Sequence, residues 1–408
     1  MKRNFPNFIE AFREYTSLVG APDKFIKWSA ISGIAACLER KVWIMYNGSQ
    51  YVYPNLFVML IAESGIANKT TASTPITTLL QEVKDLSFMS AQMSGASLIQ
   101  QLKQAGEKKK FHYKGETYAN SSVFSYSSEA KVTIGSGPHL GGIQELLTDF
   151  YDCGAPPVWS NKKGWTKTLI SGEQIVFNPC LNILYCSTPT WLLQSIGKNG
   201  IEGGFASRCL FVNLFEPQTA NLEWKDEEDI AKVDNLEFKN KLVEDLNVIA
   251  KLQGEYKVGK GFKDAYNAIL KDRQENLRTQ SEMRAYYARK MWHCLKIAQV
   301  LTANTTNDMI IKPETLEEAN EYLKELEIDM YKPFGVAGDS TLALVIKKIM
   351  NVCKDKQAVS KKEIMSALWR DATPKQLDEA IQALCTMGKL RLNITGAGIG
   401  YIVITTDL

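Results

Sequence analysis

Leu56-Phe-Val-Met-Leu-Ile-Ala-Glu-Ser-Gly-Ile-Ala-Asn-Lys-Thr-Thr-Ala72 reads as a buried strand, a turn containing Gly65, and a helix opened by Lys69-Thr70-Thr71. That is the layout of a phosphate-binding P-loop. Backbone N–H groups of the turn and the helix start would face phosphate oxygens, and the helix dipole favours an anion there. The Lys69 ammonium would reach the β- and γ-phosphates, and the Thr70 hydroxyl would ligate Mg²⁺. The usual G-x-x-x-x-G-K-[ST] spacing puts glycines at positions 63 and 68, where this chain has Glu63 and Asn68. Asn tolerates the left-handed conformation, which excuses position 68. Glu63 brings a carboxylate beside the phosphate site. The plain alternative is a strand–turn–helix with a chance Lys-Thr pair, and the apolar run ahead of Ser64-Gly65 argues against it.

Two further strand ends complete a site of this kind. Ser122-Val-Phe-Ser-Tyr-Ser-Ser-Glu129 reads as a core strand ending in an acidic residue. Glu129 is the candidate for orienting the attacking water and holding the metal's water shell; a surface Glu at a strand end is the alternative. Asn178-Pro-Cys-Leu-Asn-Ile-Leu-Tyr-Cys-Ser-Thr-Pro189 is a second core strand, and Thr188 either touches the γ-phosphate or serves turn chemistry before Pro189. The glycine-rich stretch Gly200–Arg208 precedes the strand Cys209–Phe215, so Arg208 either pairs with a phosphate or forms a local salt bridge.

Around these strands the chain divides by composition. Residues 1–50 read as an N-terminal helical segment with one apolar stripe (Phe25, Trp28, Ile31, Ile34, Leu38), then a strand Val42–Tyr46 turned by Asn47-Gly48. Residues 51–217 form the α/β core. Its helix after Lys69 contains Pro75, which predicts a kink. Residues 218–335 read as a helical lid or lateral region, in which a third helix carries Arg284, Arg289, Lys290 and Lys296. Pro333–Asp339 is a linker by composition. Residues 341–408 predict three helices and a β-hairpin, the order of a winged helix. Ser360 and Thr373 serve as helix caps, and strands are expected at Leu390–Ile394 and Tyr401–Thr405. This stretch carries ten Lys/Arg against six Asp/Glu, so it is basic while the rest is near neutral. Its third helix would turn Lys375, Gln376, Glu379 and Gln382 outward, toward DNA or toward protein. Lys108–Lys114 interleaves lysines with Phe111 and Tyr113. It reads as a solvated hairpin, or as a grip on a single strand through charge and stacking.

Composition excludes other classes. No apolar run approaches the roughly 18 residues of a membrane span, and Met1-Lys-Arg-Asn-Phe-Pro6 is not a signal peptide. The eight cysteines are scattered without a C-x-x-C pair, and three histidines are too few for a common zinc pattern. A cytosolic chain with reduced core cysteines is the expectation. A net charge of +3 leaves any nucleic-acid argument to local patches.

Taken in order, these segments resemble the ATPase region of phage- and mobile-element primase–helicase proteins, over about residues 5–330. The residues that carry the resemblance are Pro54-Asn55, Ser64-Gly65 with Lys69-Thr70, Glu145–Asp152, Asn178–Leu184 with Thr188-Pro189, and Gly204–Arg208. The resemblance implies a RecA- or AAA-like P-loop NTPase core with a mainly parallel sheet, helical flanking elements and a C-terminal winged helix. It implies a ring-shaped homo-oligomer, such as a hexamer, that uses ATP and Mg²⁺ to unwind or translocate single-stranded or forked DNA. A separate protein would supply the primase. By position, the nucleotide would be held by Ser64, Gly65, Asn68, Lys69, Thr70, Thr71 and Thr188. Thr70 and Glu129 would serve the metal, and Arg208 would reach the neighbouring subunit's nucleotide. Ser128 stands where an Asp is expected. With Glu63 and Asn68, it leaves two other readings open: a non-hydrolysing DNA-binding or initiator protein on an ATPase scaffold, or a helicase loader or remodelling ATPase.

Overall fold

Phe57–Ile61 is a strand in which every residue is buried, and it lies second in a five-stranded sheet with partners on both sides. The protein is described by a computed structural model. The described residues are 2–65, 67–90, 94–135, 141–153, 158–169, 172–201, 204–215, 236–280, 283–330, 332, 341–353, 359–369, 372–395 and 398–403. They divide into two compact units, Met1–Tyr331 and Lys332–Leu408.

The first unit begins with α1 (Phe8–Tyr15), α2 (Asp23–Leu38), β1 (Val42–Tyr46), β2 (Gln50–Val52), β3 (Phe57–Ile61) and α3 (Lys69–Gln81). It continues through β4 (Phe88–Met89), α4 (Gly95–Lys108), β5 (Lys110–Tyr113), β6 (Glu116–Ala119), β7 (Ser121–Ser127), α5 (Ala130–Ile134) and α6 (Gly141–Tyr151). Next come β8 (Trp165–Leu169), β9 (Gly172–Val176), β10 (Pro179–Ser187), α7 (Pro189–Ile201), a 3₁₀ turn Ala206–Arg208 and β11 (Cys209–Asn213). The unit closes with α8 (Leu236–Ile249), β12 (Gly254–Val258), α9 (Phe262–Thr279), α10 (Arg284–Thr305), β13 (Ile310–Ile311) and α11 (Pro313–Glu327).

The central sheet has the order β11-β3-β10-β7-β4, and all four pairings are parallel. Parallel sheets are covered on both faces, so their strands read as near-continuous apolar runs. All residues of β3, β10 and β11 are indeed buried. β7 is serine-rich yet buried. Its hydroxyls find internal partners: Ser125 Oγ lies 2.7 Å from Tyr185 Oη on β10, and Ser122 Oγ donates to Asn120 Oδ1.

A second sheet, β13-β12-β1-β2, joins distant parts of the sequence. β1 pairs in parallel with β12, so the region beyond residue 235 contributes strands as well as helices. β12 and β13 were not expected. They are five and two residues long, and β12 (Gly-Glu-Tyr-Lys-Val) buries Tyr256 alone, which leaves little strand signal. β1 turns into β2 at Asn47 and Gly48, with φ of 50° and 71°.

α2 is buried on all sides rather than along one stripe, because it packs on α3, α8, α10 and the central sheet. α3 runs through Pro75 as one helix, Lys69–Gln81, instead of breaking there. Hydroxyls help hold the backbone: Thr74 Oγ1 donates to the Thr70 carbonyl at 2.8 Å, and Ser73 Oγ to that of Lys69 at 3.0 Å.

The second unit contains α12 (Thr341–Cys353), β14 (Val359–Ser360), α13 (Lys361–Leu368), α14 (Pro374–Thr386), β15 (Leu390–Thr395) and β16 (Gly398–Val403). Its sheet is antiparallel, in the order β14-β16-β15. β16 begins at Gly398, three residues before the expected strand, and β14 is an added edge. Both cap residues read from the sequence make reciprocal capping boxes, Ser360 with Glu363 and Thr373 with Gln376. The linker at 333–339 lies outside the described residues.

Candidate functional site

Parallel α/β sheets bind ligands outside the carboxyl ends of their strands. Three such ends meet here. Ala62 N donates to the Ser187 carbonyl at 3.3 Å, so the ends of β3 and β10 stay paired up to the turn. Gly65 then takes φ +79°, a conformation that favours glycine. Ile66 lies outside the described residues. Asn68 precedes α3, and its φ is −17°, so it is not left-handed as expected. Its side chain instead ties the loop to the N-terminal segment, because Nδ2 donates to the Gly20 carbonyl at 3.0 Å. No side chain caps α3, so none occupies its first-turn N–H groups.

A cavity of about 340 Å³ opens over this helix start. Ser64, Gly65, Asn68, Lys69, Thr70 and Thr71 line one side, Ser128 and Glu129 the end of β7, and Ser187 and Thr188 the end of β10. Lys69 Nζ donates to the carbonyls of Ala62, at 2.6 Å, and Glu63, at 3.2 Å. Burial lowers the pKa of this ammonium, against the raising influence of the Cys186 thiol, Glu63 and Glu129. Burial likewise pushes the Cys186 thiol up to about 11. Thr70, Thr71 and Glu129 are exposed. Glu63 is also exposed, and it does not line the cavity. Ser127 Oγ donates to the Glu129 carbonyl at 2.7 Å and fixes the turn beyond β7. Thr188 Oγ1 accepts from Trp191 N at 3.3 Å, so it serves as the first-turn cap of α7 while lining the cavity.

Lys131 and Trp191 also line the cavity and were not singled out from the sequence. Lys131 follows Glu129 by two residues and Trp191 follows Thr188 by three. Their positions just past strand ends were the available signal.

Arg208 is not brought to this cavity. It precedes β11, at the amino ends of the parallel strands, and its side chain is 8% exposed. Its guanidinium donates to Asp152 Oδ2 at 2.5 Å and to the Gly204 carbonyl at 2.7 Å, and stands 5.8 Å from the Tyr151 ring centroid. Of the two readings open for Arg208, the local salt bridge is the one formed within the chain.

The basic cluster at 108–114 leads into the β5–β6 hairpin, with Lys108, Lys110 and Lys114 exposed and Lys109 and Phe111 turned inward. Lys109 pairs with buried Glu39 at 2.6 Å, and Phe111 stacks on Trp159 with centroids 4.3 Å apart. Tyr113 meets Trp43 edge-on at 5.2 Å. Phe111 is thus taken up by a core cluster, against which the half-buried Tyr113 packs. In the second unit Lys375, Glu379 and Gln382 are exposed, whereas the Gln376 amide is occupied by the Thr373 capping box.

No helix among the described residues is long and apolar enough to cross a membrane. No protein-family model matches the chain, and no curated protein matches it. Among solved structures it is similar to a full-length MCM homolog from Methanopyrus kandleri, at 11% identity and a TM-score of 0.36. The match covers 78% of this chain and 60% of that one, so it spans less than two thirds of that structure's length. A likeness at that TM-score carries neither fold nor function.

Proposed function

We propose that this chain is a P-loop ATPase that acts on DNA, a helicase or translocase of phage or mobile-element replication that works as a homo-oligomeric ring. One observation carries the reading. An uncapped helix start, a lysine, two exposed threonine hydroxyls and a carboxylate converge on one cavity at the carboxyl ends of parallel strands. The residues present fit ATP with Mg²⁺: unoccupied first-turn N–H groups suit phosphate oxygens, and a hydroxyl and a carboxylate lining the same cavity suit a hard cation. Bound there, ATP supplies the phosphoryl group whose transfer to water drives movement.

In this reading Lys69 exchanges two neutral carbonyls for charged phosphate oxygens, which are the stronger acceptors. Ser64, Gly65, Asn68 and Thr71 shape the cradle. Thr70 would hold the metal, Glu129 would orient the attacking water, and Thr188 would border the γ-phosphate. Positioning and charge suffice for such chemistry. Arg208 would serve a neighbouring copy only after leaving Asp152. The second unit, with the three helices α12, α13 and α14 among its described residues, an antiparallel wing and a surplus of basic residues, is read as a winged helix whose exposed α14 face meets DNA. A primase activity would come from another protein.

The test is ATP turnover by the full chain and by Lys69→Ala, each with and without single-stranded DNA. The expected result is DNA-stimulated turnover that falls by about 100-fold or more in the variant. Equal turnover in both proteins removes the site. A second reading, an ATPase scaffold that binds DNA without hydrolysis, draws on the Lys69 ammonium lying on the chain's own carbonyls. Tight Mg²⁺-dependent ATP binding by calorimetry would eliminate it.

A further inference from the structure

At the amino ends of the central strands, away from the Lys69 loop, a second cavity of about 290 Å³ is bordered by Tyr51, Tyr53, Asp152, Arg289, Trp292 and Lys296. Its charges do not balance. Arg208, Arg289 and Lys296 surround one carboxylate, Asp152. Arg208 holds Asp152 at 2.5 Å, whereas Arg289 reaches its other oxygen only at 3.4 Å. Lys296 is 4% exposed, and among the described residues it has no carboxylate partner. Its ammonium donates to the Tyr53 carbonyl at 3.0 Å and to Asn55 Oδ1, and lies 4.3 Å from the Tyr151 ring centroid. A buried cation without a directly paired counter-charge is costly. Burial lowers the pKa of Lys296, against the raising influence of the Cys153 thiol, Asp152 and the Cys180 thiol, with Arg289 adding to the fall.

The remaining wall carries aromatic rings beside Gln50 and Val52. Tyr51 and Trp292 are half-buried, and Trp292 is steadied by Tyr46 at 5.4 Å between centroids. A cationic floor beside flat, partly exposed rings suits an anion that carries a planar group.

We propose that this cavity is a second ligand site for a nucleoside monophosphate, with its phosphate on Arg289 and Lys296 and its base against Trp292 and Tyr51. Arg289 gives up only a long contact to Asp152, which Arg208 continues to neutralise. The site is independent of the Lys69 loop, because no residue lines both cavities.

The experiment titrates AMP into the full-length Lys69→Ala chain by calorimetry, with inorganic phosphate, adenosine and a single-stranded oligonucleotide as competitors. The expected result is one AMP site per chain, displaced by phosphate. Arg289→Gln should weaken it by about tenfold or more, the loss of one charge-assisted hydrogen bond. Arg289→Lys should restore part of that loss, and Trp292→Ala should weaken AMP but not phosphate. Absence of AMP binding to Lys69→Ala overturns the proposal, as does unchanged affinity in Arg289→Gln. Displacement by the oligonucleotide at lower concentration than by AMP itself reassigns the cavity to a strand and also overturns it. If Arg289→Gln does not fold, Tyr51→Ala decides in its place: weakened AMP binding supports the site, and unchanged binding removes it.

Discussion

Arg208 and His293 are buried side by side with opposite electrostatic solutions. Arg208 stays charged on Asp152, which is itself 51% exposed. Removing the guanidinium leaves that carboxylate access to water, so the loss should fall short of that for a fully buried pair. Arg208→Ala is expected to cost about 1–3 kcal/mol, read as a lower urea midpoint for the dilute chain. An unchanged midpoint would mean the ion pair is structurally idle. His293 stays neutral. Its Nε2 lies 3.0 Å from the Ser207 carbonyl, which can only accept, so Nε2 carries the proton and Nδ1 accepts from Tyr151 Oη at 3.0 Å. Burial depresses its pKa from 6.5 to about 3. The unfolded chain therefore takes up a proton below pH 6.5 that the folded chain refuses until about 3. This contribution to stability is complete above pH 6.5 and declines as pH falls, by at most about 1.4 kcal/mol per pH unit. Urea midpoints measured from pH 8 to 5 should show that slope, and His293→Gln should flatten it whatever its cost at pH 8. Buried Glu39 titrates outside this window, because Lys41, Lys109 and Asn120 hold it below the usual carboxylate range. Ser64, Gly65, Asn68, Lys69, Thr70, Thr71, Glu129 and Thr188, all named from the sequence, line one cavity, because strand ends and helix starts point their residues locally. Where Arg208 turns was not legible in the sequence, because Asp152 lies 56 residues away in the chain.

Gly33 governs how closely α2 approaches the helix that carries Lys69. A Cβ at this position would lie 2.5 Å from Ile76 Cγ1, well inside contact distance, and Ile76 is itself fully buried on α3. Gly33→Val should therefore destabilise the first unit by about 1–3 kcal/mol through overpacking. Adding Ile76→Ala to Gly33→Val should recover part of the loss, since the two sites share one contact. Thermal melts of the two single variants and the double variant measure the coupling; strict additivity would show that the helices do not meet there. The same contact explains why α2 read as amphipathic yet is buried all round: its second face is covered by α3, a neighbour that periodicity does not reveal. Elements with strong local signals were legible, among them the fully buried β3 and β10 and the capped α13 and α14. β4, β8, β9, β12 and β13 were not. They are two to five residues long, and β12 exists as a strand because β1 offers it a parallel edge.

At the scale of the whole chain, the two units should fold independently. Residues beyond 331 have their own core, in which Val345, Ile349, Ile364, Leu368, Leu377 and Leu384 pack with Val359 and Leu390. Helices α13 and α14 each start at a complete capping box, an internal supply of partners for otherwise unsatisfied N–H groups. A unit this small is only marginally able to bury enough surface, so its stability should be modest but cooperative. The fragment 332–408 should give a helical far-ultraviolet spectrum and a single melting transition below that of 1–331. The fragment 1–331 should melt where the first unit melts in the full chain. If the second unit is the DNA-binding module, 332–408 alone should bind duplex DNA with an affinity that falls steeply as salt rises, through release of counterions. The slope of log affinity against log salt should drop by about one on Lys375→Ala, a change expected from a single lost phosphate contact. A cooperative fragment with no salt-dependent DNA affinity would keep the two-unit architecture and remove the DNA role. A fragment that fails to fold would show that the first unit is needed to complete the second.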